Sequence, residues 1–114
     1  MMQDWKTYRD AMLARMSEFA KFSPEVARGF SKMGASAQQT GHLSPKTNEL
    51  IALAVAVTTR CDGCISAHTK KALEHGATRE EIAEALGVAI TLNAGAAYTY
   101  TARVFEAIDQ ELGS

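Results

Sequence analysis

The sequence has few of the features that mark specialised classes of protein. Its 114 residues include only two cysteines and two prolines, and 12 basic and 13 acidic residues leave a formal net charge of -1. This balance, with no basic cluster, argues against nucleic-acid binding. The longest apolar run, Leu50–Val57, is far shorter than the ~20 residues that span a bilayer. We therefore expect neither a nucleic-acid partner nor a membrane span.

The N-terminal residues do not resemble a secretory signal. From Met1 to Arg15, charged and apolar residues alternate, and no continuous hydrophobic stretch is present. A mass of 12.3 kDa fits one domain, covering residues 1–114. Apolar residues make up 46% and charged residues 22%, which is ordinary for a soluble protein. We predict a single cytoplasmic domain.

Apolar residues recur at spacings of three and four along most of the chain, which predicts an all-α fold of about six helices. Ser-Pro at 23–24 and 44–45 is typical of helix starts, because proline suits the first helical position. The stretch Ala35–Leu43 is polar and predicted to be a loop or a frayed helix end. The first three predicted helices run from about Asp4 to Phe22, from Pro24 onward, and from Pro45 to a break at Thr58–Arg60. The fourth runs from Cys61 to about His75, and the fifth begins at the capping pattern Thr78…Glu81 and continues through Ala89. After a predicted interruption at Asn93–Gly95, the sixth runs through Tyr98 to Leu112.

The two cysteines form a C-x-x-C pair followed by a histidine. On a helix, Cys61, Cys64 and His68 project from one face, and a cysteine in the first turn lies near N–H groups that stabilise a thiolate. His68, one turn beyond Cys64, is placed to exchange protons with that sulfur. Glu49 opens an almost wholly apolar helix, so we expect it to be partly buried and able to transfer protons. The pattern predicts a thiol, imidazole and carboxylate relay.

Simpler interpretations apply to the remaining candidates. His42 precedes a helix start, and His75 precedes the Gly76 stop, where a cation is favourable. Neither is predicted to have a function, and nothing in the sequence places Tyr98 or Tyr100 in a cleft.

The four relay residues also allow a different kind of site. Cys61, Cys64, His68 and Glu49 would be sufficient ligands for structural zinc, although three of them come from one short helix, which makes a tetrahedron awkward. A binding module whose cysteines are merely redox-sensitive is a third interpretation.

The motif residues resemble a known family. Glu49, Cys61-Asp62-Gly63-Cys64 and His68 match the E-x11-C-x-x-C-x3-H pattern of the alkylhydroperoxidase D-like (AhpD-like) proteins in the carboxymuconolactone decarboxylase family. The resemblance covers about residues 40–108. It implies an all-α fold, peroxide reduction by a cysteine pair, and trimers or hexamers. Decarboxylase members typically lack the cysteine pair. The best-known peroxidase members have a histidine directly before the second cysteine, where this chain has Gly63.

Together these features predict a thiol-dependent hydroperoxide or disulfide reductase with no cofactor or metal. A carboxymuconolactone decarboxylase-like enzyme is the alternative within the family. The resemblance favours Cys64 as the peroxide-attacking thiolate, whereas helix-end stabilisation favours Cys61, so the order stays open. The expected partners are a peroxide, an external dithiol or thiol reductant, and further copies of the chain. The apolar run Leu50–Val57 needs neighbours on every side, which predicts an oligomer, and we expect a hexamer rather than a trimer.

Overall fold

The computed structural model describes residues 1–113, which form five α-helices and no strand. The helices are α1 (Trp5–Phe22), α2 (Pro24–Gln38), α3 (Pro45–Thr59), α4 (Asp62–Glu74) and α5 (Arg79–Leu112). The all-α prediction is confirmed, and five helices are close to the expected six. No helix of residues 1–113 combines the length and the apolar character needed to cross a membrane.

The helices begin where the capping patterns predict. Pro24 and Pro45 occupy the first turns of α2 and α3, and the Ser44 side chain accepts a hydrogen bond from the Thr47 N–H. At α5, the Thr78 side chain accepts from the Glu81 N–H while the Glu81 carboxylate accepts from the Thr78 N–H. This reciprocal pair is a complete capping box, so local sequence alone fixes the start of the longest helix.

The predicted interruption at Asn93–Gly95 is wrong, because α5 continues through it as one helix of 34 residues. The Asn93 side-chain amide donates a hydrogen bond back to the Ala89 carbonyl at 2.8 Å, so it reinforces the helix instead of ending it. A glycine inside a helix costs about 1 kcal/mol relative to alanine, which the continuous helix on both sides of Gly95 outweighs. The stretch Ala35–Leu43 is divided between the last turn of α2 and a loop, in agreement with the prediction.

The hydrophobic core is small and lies where α3 packs against α4 and α5. Leu53, Ala72 and Ala77 form the buried cluster, and Leu50, Ile82 and Leu86 pack around it. Only one side of α3 is buried within the protomer, since Ile51 and Val55 remain about half exposed. All buried residues lie between Glu49 and Ala89. We call residues 45–89 the core unit.

Two segments extend from the core unit. The N-terminal hairpin, formed by α1 and α2, contains no buried residue and contacts the core unit through α1 packing on α4. The C-terminal half of α5, residues 96–112, is also exposed. The protomer is therefore elongated: its radius of gyration is 19.1 Å, whereas a compact domain of this length would have about 13 Å.

Candidate functional site

A tight turn between α3 and α4 places the two cysteines. Arg60 ends α3 in the left-handed conformation (φ 53°), and the Cys61 N–H donates to the Ala56 carbonyl at 3.0 Å. This arrangement is a common way to close the end of a helix, although glycine usually occupies the left-handed position. The chain therefore reverses immediately, and Cys61 becomes the N-cap of α4.

Cys61 and Cys64 form a disulfide across the first turn of α4, with their Cα atoms 5.2 Å apart. The Cys64 N–H points at the Cys61 sulfur at 3.1 Å. In the reduced form, the same N–H and the positive end of the helix would stabilise a thiolate on Cys61. Both cysteines are partly accessible. The Cα separation is within the range that a disulfide requires, so this turn suits a redox-active pair.

Glu49 and His68 form a hydrogen-bonded pair between α3 and α4. The distance from Glu49 Oε2 to His68 Nδ1 is 2.6 Å, and Glu49 is only 4% exposed. A carboxylate this deeply buried requires a partner, and the imidazole provides one. An ionised Glu49 carboxylate accepts a hydrogen bond from the His68 Nδ1–H, so the pair fixes the ring orientation and leaves Nε2 to exchange protons elsewhere.

The pair is held close to the cysteines by the helices themselves. His68 follows Cys64 by four residues on α4, so the two side chains share a face of the helix, with Cβ atoms about 5–6 Å apart in ideal geometry. Glu49 lies in the buried face of α3, four residues before the core residue Leu53. The four residues that the sequence predicts thus lie on α3, on α4 and in the turn between them as two bonded pairs, Cys61–Cys64 and Glu49–His68, and Glu49 is more deeply buried than expected.

Helix α1 adds two residues that the sequence analysis missed. A Cβ at Gly63 would lie 2.7 Å from Met12 Sδ and 4.0 Å from the Tyr8 hydroxyl oxygen. Tyr8 and Met12 belong to the residues of α1 that recur at spacings of three and four, a pattern that predicts only that they pack against another part of the protein. Nothing in the sequence shows that they lie next to the C-x-x-C motif. The one available signal is a glycine inside the first turn of a helix, which marks close approach by another part of the chain.

Further contacts hold α1 on α4. Arg9 donates to the Ser66 carbonyl oxygen at 3.4 Å, and the rings of Trp5 and Tyr8 meet edge to face with centroids 6.0 Å apart. The Ser66 hydroxyl is buried and has no hydrogen-bond partner among residues 1–113.

The residues to which the sequence gives no function lie outside this site. His42 is exposed in the segment before α3, and His75 is the exposed C-cap of α4. Tyr98 and Tyr100 are exposed on the C-terminal half of α5, where the Arg103 guanidinium lies 5.2 Å from the centre of the Tyr100 ring.

The geometry gives no support to the zinc alternative. Within residues 1–113, no group of three or more His, Cys, Asp or Glu side chains is arranged to hold a metal ion. The sulfur atoms of Cys61 and Cys64 are bonded to each other, and the Glu49 carboxylate is hydrogen-bonded to His68.

The fold and site define an all-α protein with a C-x-x-C pair beside a buried glutamate–histidine pair. Comparison with known proteins agrees: residues 24–107 match the model of the carboxymuconolactone decarboxylase family. The chain belongs to this family. The resemblance inferred from the motif is therefore confirmed, and the match begins nearer the N-terminus than residue 40.

Individual relatives extend over nearly the whole chain. An uncharacterised protein of Haemophilus influenzae is 49% identical over 107 residues, which cover 94% of this chain and 95% of the relative. Uncharacterised protein 4 in the cox locus of Paracoccus denitrificans is 35% identical and covers 85% of this chain and 87% of its own.

Two solved structures are also similar. A crystal structure of a carboxymuconolactone decarboxylase family protein from Legionella pneumophila in its apo form is 36% identical, with a TM-score of 0.73, covering 93% of this chain and 95% of that one. A protein from Methanobacterium thermoautotrophicum is 38% identical, with a TM-score of 0.66. The match covers 72% of this chain and 94% of that one.

Proposed function

We propose that this protein is a thiol-dependent peroxidase that reduces hydroperoxides with the Cys61–Cys64 pair. The observation that carries the proposal is the position of this pair at the N-terminus of α4, one turn before His68, whose imidazole is held by buried Glu49 at 2.6 Å. A dithiol next to an oriented proton donor has the groups that two-electron peroxide reduction requires.

The cycle begins with Cys64 as a thiolate. Its sulfur attacks one peroxide oxygen and the O–O bond breaks, so Cys64 becomes a sulfenic acid and the other oxygen leaves as an alcohol after taking up a proton. The Cys61 thiol then attacks the sulfenic sulfur, the S–O bond breaks and water leaves, which forms the disulfide. An external dithiol reduces this disulfide by exchange and is itself oxidised to a disulfide.

His68 supplies the proton that the leaving alkoxide needs. Its Nδ1 is engaged by Glu49, so Nε2 is the atom that delivers the proton and later recovers it from the Cys64 thiol. Glu49 is a positioning residue, because its carboxylate orients the imidazole. Gly63 contributes no proton-handling group, so this role rests on His68 alone.

We also propose that the protomer works as a homo-oligomer, and specifically as a hexamer built from dimers. The N-terminal hairpin and the C-terminal half of α5 expose large apolar side chains, including Phe22, Phe30 and Phe105, on an elongated protomer. Exposed apolar area of this extent is typical of subunit interfaces. Light scattering should give about six times 12.3 kDa, and a mass equal to one chain would refute the assembly.

A peroxide-consumption assay with several dithiol donors tests the proposed activity. Turnover with an organic hydroperoxide supports the proposal. Reduction of small disulfides without peroxide consumption would instead identify a disulfide reductase. Two parallel measurements address the other interpretations: metal analysis of the reduced protein for a zinc site, and thiol counts before and after peroxide for a module with inert cysteines.

A further inference from the structure

Gly63 lies between the two cysteines, and α1 fills the space next to it. A side chain at this position would begin 2.7 Å from the Met12 sulfur, closer than Cβ atoms approach other atoms in proteins, and 3.9 Å from the Met12 terminal methyl. The absence of a Cβ at Gly63 is therefore what allows Met12 to rest directly on the first turn of α4.

Met12 approaches the first turn of α4 at Gly63 and also lines a large apolar groove. The groove runs between α1 and α2 with a volume of about 860 Å³. Its lining residues include Tyr8, Met12, Met16, Phe19, Val26 and Phe30. Tyr8 and Met12 are thus shared: they line the groove and also approach Gly63. Of the side chains near Gly63, the residue between the two cysteines, Met12 makes the closest approach.

Helix α1 is held against α4, but the Met12 side chain itself is flexible. Arg9 connects α1 to α4 through the Ser66 carbonyl, one turn beyond Gly63 along α4, which keeps the helix backbones together. Met12 itself is only partly buried. Methionine has three rotatable bonds and adapts to the shape around it, so its side chain can yield to a small molecule more readily than to a large one.

We propose that Met12 determines the size of the molecules that reach the Cys61–Cys64 pair from the side of α1. The inference rests on the proposed function in one respect: both treat this cysteine pair as the reactive group. It assigns to α1 a specificity-determining role that the four motif residues do not have, because Met12 limits access without taking part in the chemistry.

The test compares reagents that differ in size and share one reactive group. The reduced protein is treated with N-methylmaleimide and with the much larger N-pyrenylmaleimide, and modification of each cysteine is followed by mass spectrometry. Met12→Ala shortens the side chain and should raise the rate for the large reagent relative to the small one by at least about tenfold, the lower end of the discrimination that one methylene group gives in an apolar pocket. Met12→Leu keeps most of the volume and should leave the ratio near its wild-type value.

Met16→Ala is the matched control. Met16 lies one turn further along α1 and lines the same groove, but it is not among the atoms nearest to Gly63. We expect its ratio to stay within about twofold of the wild type, on the same scale of effects. Circular dichroism establishes that each variant is folded, and Met12→Val replaces Met12→Ala if the latter is not.

Two outcomes overturn the inference: an unchanged ratio in the folded Met12 truncation, or an equal change in Met16→Ala. Peroxide consumption is measured separately on the same proteins. A wild type that consumes no peroxide, while Met12→Ala still shifts the maleimide ratio, would refute the proposed function and leave the size filter standing. If the protein consumes peroxide but Met12→Ala leaves the maleimide ratio unchanged, the proposed function stands and the inference about Met12 is refuted.

Discussion

The core unit and the N-terminal hairpin are both rich in apolar residues, but they differ in what those residues do. In the core unit, Leu53 and Ala72 are almost fully buried, and Glu49 is buried with them at 4% exposure. In the hairpin, Phe22 and Phe30 are 85% and 68% exposed. The candidate site lies beside the buried residues of the chain, whereas the hairpin carries apolar surface that a single chain leaves uncovered. The proposed chemistry and the proposed assembly therefore involve different parts of the sequence, which approach each other where Met12 lies next to Gly63.

The largest expected effect concerns the cysteines of the core unit. Cys61→Ser and Cys64→Ser should each abolish catalytic turnover, because each removes half of the disulfide. The two variants also decide the order of attack. If Cys64 attacks first, peroxide-treated Cys61→Ser accumulates a sulfenic acid that dimedone traps at Cys64, and Cys64→Ser yields little adduct. The reverse pattern would assign the attack to Cys61, at the helix N-cap.

The next effect concerns the hydrogen-bonded pair of the core unit. Glu49→Gln and His68→Ala should each slow peroxide reduction by ~10²–10⁴-fold, the usual contribution of general acid–base catalysis. His75→Ala is the control, since His75 belongs to the same helix region but is exposed outside the site. If Glu49→Gln and His68→Ala both retain rates within about twofold of wild type, the pair has only a structural role.

Stability measurements sharpen the contrast between the two regions. Leu53→Ala leaves a cavity in the core and should lower the free energy of unfolding by about 2–5 kcal/mol. Phe30→Ala should be nearly neutral if the free protomer is the functional unit, because this side chain is mostly exposed. If copies of the chain cover the hairpin, Phe30→Ala instead lowers the melting temperature and the mass measured by light scattering, more strongly at low protein concentration. A neutral Phe30→Ala at every concentration would contradict assembly through the hairpin.

The smallest effect concerns pH and the start of α5. A hydrogen bond from Lys46, followed by the Thr78 backbone N–H, lowers the pKa of Glu81 below its ordinary value of 4.5. Because the folded pKa is the lower one, this stabilisation is complete above pH 4.5 and is lost as the pH falls through the folded pKa. Chemical denaturation between pH 6 and about 3 should therefore show a smaller loss of stability for Glu81→Gln than for wild type. Parallel curves for the two proteins would contradict this.

Local sequence rules account for much of the fold and of the site. Capping patterns located the starts of α2, α3 and α5, and helical spacing placed Cys61, Cys64 and His68 together. They failed at Asn93–Gly95, because the Asn93 side chain bonds to its own helix and the helix on both sides outweighs one glycine. They also missed Met12, since its contact with Gly63 joins positions 51 residues apart and depends on how α1 docks. Tertiary contacts of this kind leave no periodic signal.

A single-turnover reaction of the reduced protein with an organic hydroperoxide determines whether the Cys61–Cys64 pair reduces peroxide. Peroxide consumption is measured beside the intact mass of the protein and the identity of its modified residues. The account predicts that each equivalent of peroxide yields one alcohol and one Cys61–Cys64 disulfide, with a mass decrease of about 2 Da. Thiols that survive the treatment, sulfinic acid as the main product, or disulfides between chains would contradict it.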